Sequence, residues 1–120
     1  MAKQGFSKAS RLLSPSQYGS VFKQAEFKLS AATMLILVCR SKTSPRLGII
    51  VAKKNVKSAV QRNRLKRIIR ESFRLRQGEF GTIDLVVLAR QSLDKMNNQE
   101  VQSQINKLFD ELLSKLSRNK

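Results

Sequence analysis

The stretch Ser58–Arg74, SAVQRNRLKRIIRESFR, carries six arginines and lysines and a single acid, Glu71. Its core-facing residues recur at the i, i+3, i+4, i+7 and i+8 spacing that places them on one stripe of an α-helix. The stripe consists of Leu65, Ile68, Ile69, Ser72 and Phe73. Burial at about 1.5–3 kcal/mol per large side chain outweighs repulsion of a few tenths of a kcal/mol per exposed pair of like charges. The stretch therefore predicts a long helix whose apolar stripe is anchored to a sheet.

The ends of this helix are predicted from the residues that flank it. Ser58 and Gln61 can form a capping box at its start, and the helical pattern continues to about Arg76. Gly78 and Gly81 then predict the end of the helix and a loop, because glycine weakens helices and favours turns.

The charged side of the predicted helix indicates a binding surface. The residues opposite the apolar stripe are Asn63, Lys66, Arg67, Arg70 and Arg74, and Arg62 and Arg64 lie on its two flanks. A solvated helix face usually alternates acids with bases, whereas Glu71 is the only acid here. Arginine binds phosphate bidentately and stacks on bases, which lysine cannot do. We therefore predict that this side binds a polyanion, and favour nucleic acid over a membrane surface.

The charge imbalance extends over the whole chain. Its 120 residues contain 24 Lys+Arg against 8 Asp+Glu, a net charge of +16, and no acid occurs between Glu26 and Glu71. Such an excess destabilises the folded state by self-repulsion and calls for a polyanionic partner. A hydrophobic content of 41% nevertheless favours a folded chain. The length predicts one domain over residues 1–120, in which residues 1–13 form a flexible basic segment.

The apolar segments predict a cytoplasmic protein with no membrane partner. The longest apolar run, Met34–Cys39, is too short to span a bilayer, and the N-terminus lacks the apolar segment of a signal peptide. Cys39 is the single cysteine, and we interpret it as a small buried hydrophobe.

Periodicity elsewhere predicts an α+β fold with elements in the order αβββαβα. A short helix starts near Pro15, and a final helix with one apolar stripe spans about Asn98 to Leu116. The predicted strands cover residues 25–30, 33–40, 47–52 and 83–89. Without the first of them the order would be αββαβα. We expect a two-layer α/β sandwich with the helices packed on one side, and a mixed sheet because only the last strand follows a helical crossover.

The residue chemistry argues against an active site built from this chain. There is no histidine, and the eight carboxylates are scattered without the spacing of a metal site or an acid/base pair. No glycine-rich phosphate loop occurs. We therefore predict no catalytic residue and no metal held by the chain.

Tyr18 and Phe22 form an aromatic pair at i and i+4 on the first helix. Taken alone, such a pair is typical of a core. Beside a basic helix it has a second interpretation, because bases of single-stranded RNA stack on aromatic rings while cations follow the backbone. Both interpretations stay open at this point.

The segment Ala52–Arg70, AKKNVKSAVQRNRLKRIIR, resembles the bacterial ribonuclease P protein family, whose basic helix carries the RNR triplet found here at Arg62, Asn63 and Arg64. Three further segments are similar to that family: LLSPSQYGSVF at residues 12–22, RLGIIVAKKN at 46–55 and DLVVLAR at 84–90. The resemblance covers nearly the whole chain, and the ordered combination is more specific than the triplet alone.

The resemblance implies an αβββαβα sandwich with a left-handed βαβ crossover, which is contrary to the general rule. It also implies the protein subunit of a ribonucleoprotein whose catalytic RNA removes the 5′ leader from precursor tRNA. The hydrolysis of one phosphodiester would use Mg²⁺ held mainly by the RNA. The partners would be the catalytic RNA and the leader, with no membrane and no DNA.

By position, the resemblance implies two groups of binding residues. The residues facing the catalytic RNA would be Arg62, Asn63, Arg64, Lys66, Arg67 and Arg70. The residues of a cleft for the leader would be Tyr18, Phe22, Lys53 and Lys54. Tyr18 stands where the family often has phenylalanine, which preserves stacking. Lys57 lies in a connector that varies in the family.

Three other functions share the composition. A small basic ribosomal protein that binds ribosomal RNA is the main alternative. A DNA-binding regulator is disfavoured because no helix-turn-helix turn precedes the long helix and no dimerisation zipper occurs. A nuclease active without RNA is disfavoured by the residue chemistry.

Overall fold

The computed structural model describes residues 15–40 and 45–118, so the predicted segment 1–13 and the predicted cap Ser14 lie outside the described residues. The helices are α1 (Pro15–Gln24), α2 (Ala59–Phe80) and α3 (Asn98–Arg118), and the strands are β1 (Phe27–Ser30), β2 (Met34–Arg40), β3 (Arg46–Ile50) and β4 (Ile83–Ala89). A short 3-10 helix, Leu93–Lys95, precedes α3. The predicted α+β class and the order αβββαβα are confirmed, including the strand β1.

The four strands form one mixed sheet in the order β1-β2-β4-β3. β2 is antiparallel to both β1 and β4, whereas β3 and β4 are parallel and are joined through α2. The predicted mixed sheet is therefore confirmed. Its parallel pair is the one whose strands are connected through a helix, as expected because parallel neighbours require a crossover connection. The left-handed sense of that crossover stays a prediction of the resemblance.

One face of the sheet, here called the closed face, is covered by α2 and α3. The closed face carries Ile36, Val38, Leu47, Leu85 and Val87, and all five side chains are fully buried. α3 contributes the apolar stripe predicted for it, and α2 contributes Leu65, Ile69 and Phe73. This layer forms the main core of the protein, since one continuous apolar cluster runs through both helices and all four strands.

The expectation that the helices pack on one side is wrong for α1, which lies on the opposite face of the sheet. That face, here called the open face, carries Leu37, Cys39, Ile50, Val86 and Leu88, and Val21 of α1 is buried against Cys39 and Val86. The physical reason is the continuous apolar sequence of β2 and β4, which places apolar side chains on both faces of the sheet. Cys39 is buried there, as predicted.

Helix α2 is also longer than predicted, because it continues through Gly78 and ends at Phe80. Phe80 stacks on Phe73 with 5.7 Å between ring centroids and meets Phe109 of α3 edge-on at 5.2 Å. Burial of this ring offsets the roughly 1 kcal/mol that a glycine costs inside a helix. Gly81, with a φ of 76°, then ends the helix as predicted.

Candidate nucleic-acid interface

The basic helix α2 begins at the predicted cap. The Ser58 hydroxyl accepts a hydrogen bond from the Gln61 backbone N–H at 3.3 Å, and Ser58 itself has extended backbone. The predicted apolar stripe faces the closed face, with Leu65, Ile69 and Phe73 fully buried. Because this stripe fixes the rotation of the helix, the remaining positions must project away from the sheet or towards its neighbours.

The two arginines of the RNR triplet donate hydrogen bonds to other segments of the protein itself. Arg62 donates hydrogen bonds from Nη1 to the backbone carbonyls of Val56 at 3.0 Å and Lys57 at 2.9 Å. These two carbonyls belong to the connector between β3 and α2. Arg62 therefore holds the connector against the first turns of α2.

Arg64 lies on the other flank and holds the loop between β4 and α3. Its Nη1 donates to Asn98 Oδ1 at 2.7 Å, and its Nη2 donates to the carbonyls of Asp94 and Met96 at 3.3 and 3.1 Å. Its Nε donates to Gln61 Oε1 at 2.7 Å. Four acceptors around one guanidinium make Arg64 a fixed part of the fold.

The other predicted residues of α2 present their polar groups outward. Asn63 and Arg67 are exposed, and Lys66 and Arg70 are half-buried. Within the described part of the chain, none of these four side chains forms a hydrogen bond or an ion pair. They form an outer cationic row, Asn63–Lys66–Arg67–Arg70, whose polar groups are available to a ligand.

The C-terminal half of α2 is charged differently. Arg74 pairs with Glu71 through Nε at 3.2 Å and through a second, shorter contact from Nη2. The hydrogen bond from Arg74 lowers the pKa of the Glu71 carboxyl. Arg76 pairs with Asp110 of α3 and donates to the Asn106 carbonyl at 3.1 Å. Unpaired positive charge is therefore concentrated in the first half of the helix.

The two aromatic side chains of α1 differ in how far they are buried. Tyr18 is half-buried, and its ring lies so close over β3 that a Cβ added at Gly48 would come within 2.5 Å of Tyr18 Cε1. Phe22 is 45% exposed. The core interpretation therefore holds for Tyr18, which packs on the open face, whereas Phe22 exposes its ring to solvent and its stacking on RNA stays a prediction.

Lys53 and Lys54 lie in the turn that follows β3, and both are exposed. The turn is attached to the neighbouring strand because Asn55 Nδ2 donates to the Ala89 carbonyl at 3.0 Å. Both lysines therefore stand beyond the carboxyl ends of the parallel strands β3 and β4.

The open face has a polar anchor that was not predicted from the sequence. Arg46 and Asp84 form a bidentate ion pair with both N–O distances at 2.9 Å, and their side chains are 21% and 11% exposed. Hydrogen bonding to Asp84 raises the pKa of Arg46. A lone acid inside the apolar strand IDLVVLA could have indicated this pair, because buried charges are seldom left without a partner.

The open face also has an apolar floor. Leu35, Leu37, Ile50 and Leu88 remain half-buried, and the strand register places Leu35 opposite Leu88 and Leu37 opposite Val86. Leu37, Ile50 and Leu88 form an apolar surface with Tyr18 beside α1. The continuous apolar sequence of β2 and β4 was the available indication, since a strand with two apolar faces needs a cover on each.

No group of three or more Cys, Asp or Glu side chains within residues 15–40 and 45–118 is arranged to hold a metal ion. Over those same residues, no helix combines the length and apolar character needed to cross a bilayer.

The fold and this surface define a class: a small, basic α+β protein with a mixed four-stranded sheet, an outer row of cations and a partly exposed aromatic edge. The family model for Ribonuclease P matches residues 6–113 of the chain. Among curated relatives, the Ribonuclease P protein component of Alcanivorax borkumensis is 43% identical over 113 residues, which are 93% of each chain. That of Pseudoalteromonas atlantica is 42% identical over 119 residues, which are 99% of each chain.

Solved structures show the same similarity. The chain matches the RNase P protein of Staphylococcus aureus with a TM-score of 0.78 at 28% identity, covering 86% of this chain and 94% of the other. It matches the RNase P protein of Thermotoga maritima with a TM-score of 0.71 at 28% identity, covering 82% and 94%. The chain belongs to the ribonuclease P protein family. Membership places it in tRNA processing, as an RNA-binding component of a ribonucleoprotein nuclease.

Proposed function

We propose that this chain assists the RNA subunit of ribonuclease P in the cytoplasm, where the RNA hydrolyses one phosphodiester and releases the 5′ leader of precursor tRNA. The protein supplies no catalytic group in this proposal. Mg²⁺ is assigned to the RNA, because the described carboxylates offer no ligand cluster, and those of Asp84 and Asp110 are already paired with arginines. The chain's own contribution is electrostatic: its cations screen phosphate repulsion and raise affinity for the leader and for metal ions bound to the RNA.

The outer cationic row of α2 is the proposed contact with the catalytic RNA. The observation that carries this proposal is that Lys66, Arg67 and Arg70 have no intramolecular polar partner within the described residues, although Arg62 and Arg64 of the same helix have several. Four N–H donors of Arg64 are already bonded, and two donors hold Arg62 against the connector, whereas Arg67 and Arg70 keep all their donors for bidentate contact with phosphate. Arg62 and Arg64 are therefore proposed to support the contact surface, and Arg67 and Arg70 to form it.

The open face beside α1 is the proposed site for the leader. It combines the exposed ring of Phe22, the apolar floor with Tyr18, and Lys53 and Lys54 beyond the end of β3. A single strand of RNA needs a stacking surface for its bases and cations along its backbone, and this face offers both.

The test of the α2 contact is a charge-matched comparison. Arg67→Ala with Arg70→Ala removes two outer cations, and Lys107→Ala with Lys115→Ala removes two from α3. We expect the first variant to bind the catalytic RNA more weakly and to reduce the salt slope by about 0.7 for each lost phosphate contact. Its cleavage of precursor tRNA should fall most at low Mg²⁺. Equal slopes and equal low-Mg²⁺ activity in the two variants would refute the contact.

The test of the leader site uses the ratio of holoenzyme affinities for precursor and mature tRNA. Loss of one stacked base costs about 1–3 kcal/mol, so Phe22→Ala should lower this ratio by about fivefold or more, while Phe22→Tyr should retain it. Leu75→Ala removes another exposed apolar side chain, 57% exposed on α2, and serves as the control. A ratio unchanged in Phe22→Ala would remove Phe22 from the leader site.

A further inference from the structure

A cavity lies beyond the carboxyl ends of the parallel strands β3 and β4. One wall is the connector after β3, with Lys54 and Lys57, and the other is the loop after β4, with Ser92, Asp94 and Lys95. Sheets with parallel strands commonly bind ligands outside the carboxyl ends of those strands, where successive loops diverge. The position of the cavity therefore suits a binding site.

The charge around this cavity is strongly positive. Three lysines and one acidic residue, Asp94, are among the residues that line it, and all three lysines are exposed. In the described part of the chain, Lys54, Lys57 and Lys95 form no ion pair. Three unpaired cations on opposite walls attract an anion more effectively than the same charges spread over a surface, because a concave site with protein walls focuses their field.

The walls of the cavity are fixed by the two arginines of the RNR triplet. Arg62 bonds to the carbonyl of Lys57 itself at 2.9 Å, and so holds the connector that carries the first two lysines. Arg64 bonds to the carbonyls of Asp94 and Met96, which flank Lys95 on either side. Asn55 joins the two walls at their base through the Ala89 carbonyl. The lysines are thus mounted on backbone that is anchored at several points.

We propose that this cavity binds a phosphodiester group of RNA through Lys54, Lys57 and Lys95, with Arg64 as the positioning residue for Lys95. The choice of an RNA phosphate rests on the proposed function. Lysine suits this task as a compact point charge that needs no bidentate geometry. Arg64 acts through the loop and not by touching RNA, because four of its donors already have acceptors inside the protein.

The experiment compares Lys95→Ala with Lys107→Ala, a control that removes an exposed lysine from the outer side of α3. Binding is measured against salt concentration in two arms, so that the source of the phosphate is identified. The first arm uses the catalytic RNA alone, and the second uses the holoenzyme with precursor and with mature tRNA. In the arm whose RNA supplies the phosphate, Lys95→Ala should weaken binding about threefold and reduce the salt slope by about 0.7. Lys107→Ala should leave both the affinity and the slope unchanged.

The role of Arg64 is tested by Arg64→Lys, which keeps the charge but cannot reach four acceptors. If Arg64 positions Lys95, Arg64→Lys should reduce the salt slope as much as Lys95→Ala does. The double variant should then show no further reduction. Thermal unfolding of each variant identifies any loss that arises from misfolding. Additive losses would overturn the positioning role.

The proposed phosphate site is refuted if Lys95→Ala and Lys107→Ala have the same affinity and the same salt slope in both arms. That failure is distinct from a failure of the proposed function, because the Arg67 and Arg70 variant would still lose affinity for the catalytic RNA and activity at low Mg²⁺. If those losses are absent as well, both proposals fall together.

Discussion

The two faces of the sheet differ in how completely they are covered. On the closed face, two helices of 22 and 21 residues fully bury Ile36, Val38, Leu47, Leu85 and Val87. On the open face, one helix of 10 residues leaves Leu35, Leu37, Ile50 and Leu88 half-buried. A complete cover contributes stability, and a partial cover leaves apolar and aromatic surface for a ligand. The protein therefore separates the layer that holds the fold from the face proposed to bind the leader, while the outer side of α2 is proposed to bind the catalytic RNA.

The largest expected effect tests the closed face. Phe73→Ala removes a fully buried ring that stacks on Phe80, and should lower the free energy of unfolding by about 3–5 kcal/mol. Denaturant unfolding measures this value, with Leu75→Ala on the same helix as the control, expected within about 0.5 kcal/mol of the parent. A loss below about 1 kcal/mol for Phe73→Ala would mean that the closed face does not dominate stability.

The second prediction concerns the ion pair on the open face. Asp84→Asn leaves the Arg46 guanidinium largely buried without its carboxylate, and should cost about 2 kcal/mol in the free energy of unfolding. Replacing both residues, with Arg46→Met and Asp84→Leu, should cost less than the single change, because no unpaired charge is then buried. If the double variant proves less stable than Asp84→Asn, the ion pair is a net source of stability. The open face then contributes more to the free energy of unfolding than its partial cover indicates.

The third prediction contrasts two glycines near α1. Gly48→Ala places a Cβ against the Tyr18 ring, so the ring must move, and the change should cost about 1–2 kcal/mol and weaken leader binding. Gly19→Ala, where the added Cβ meets open space, should stabilise the protein by about 0.5–1 kcal/mol. Unfolding curves and precursor tRNA affinity measure both. Opposite signs are expected, and equal effects would show that Tyr18 is not held by contact with β3.

The smallest effect concerns Cys39, which lies under α1 on the open face. Burial, followed by the charges of Asp84 and Glu26, raises the pKa of the thiol above its usual value of 9.0. The unfolded chain therefore loses its proton first, so the stability from the neutral thiol is present below pH 9.0 and is lost as pH rises beyond it. Cys39→Ala should show a flatter alkaline stability profile than the parent.

The labelling rate of the Cys39 thiol can also show whether the cover of the open face opens more easily than the rest of the protein. A short helix over a half-buried surface should open locally before the whole protein unfolds. Labelling of Cys39 by a thiol reagent near pH 8 should therefore proceed faster than global unfolding, and Val21→Ala should increase its rate. Labelling limited to the global unfolding rate would show that α1 is held as firmly as α2.

Much of the fold followed from local patterns. The stripe from Leu65 to Phe73, the cap at Ser58 and the strand from Ile83 to Ala89 were predicted correctly, because spacing along the chain determines which side chains share a face. The end of α2 was less predictable. Gly78 indicated a stop, but the gain from packing Phe80 between Phe73 and Phe109 depends on a ring that lies 29 residues beyond Phe80 in the sequence.

The sequence by itself determined that this is a basic α+β chain whose long helix has one apolar and one cationic side. Only the tertiary structure decided which cations are free. Arg64 and Arg67 are three residues apart on α2, yet Arg64 bonds to Asp94, Met96 and Asn98 of a distant loop, and Arg67 has no polar partner in the described chain. It also decided which face α1 covers. Helical periodicity fixes the direction in which a side chain points, but its partner depends on segments that only folding brings together.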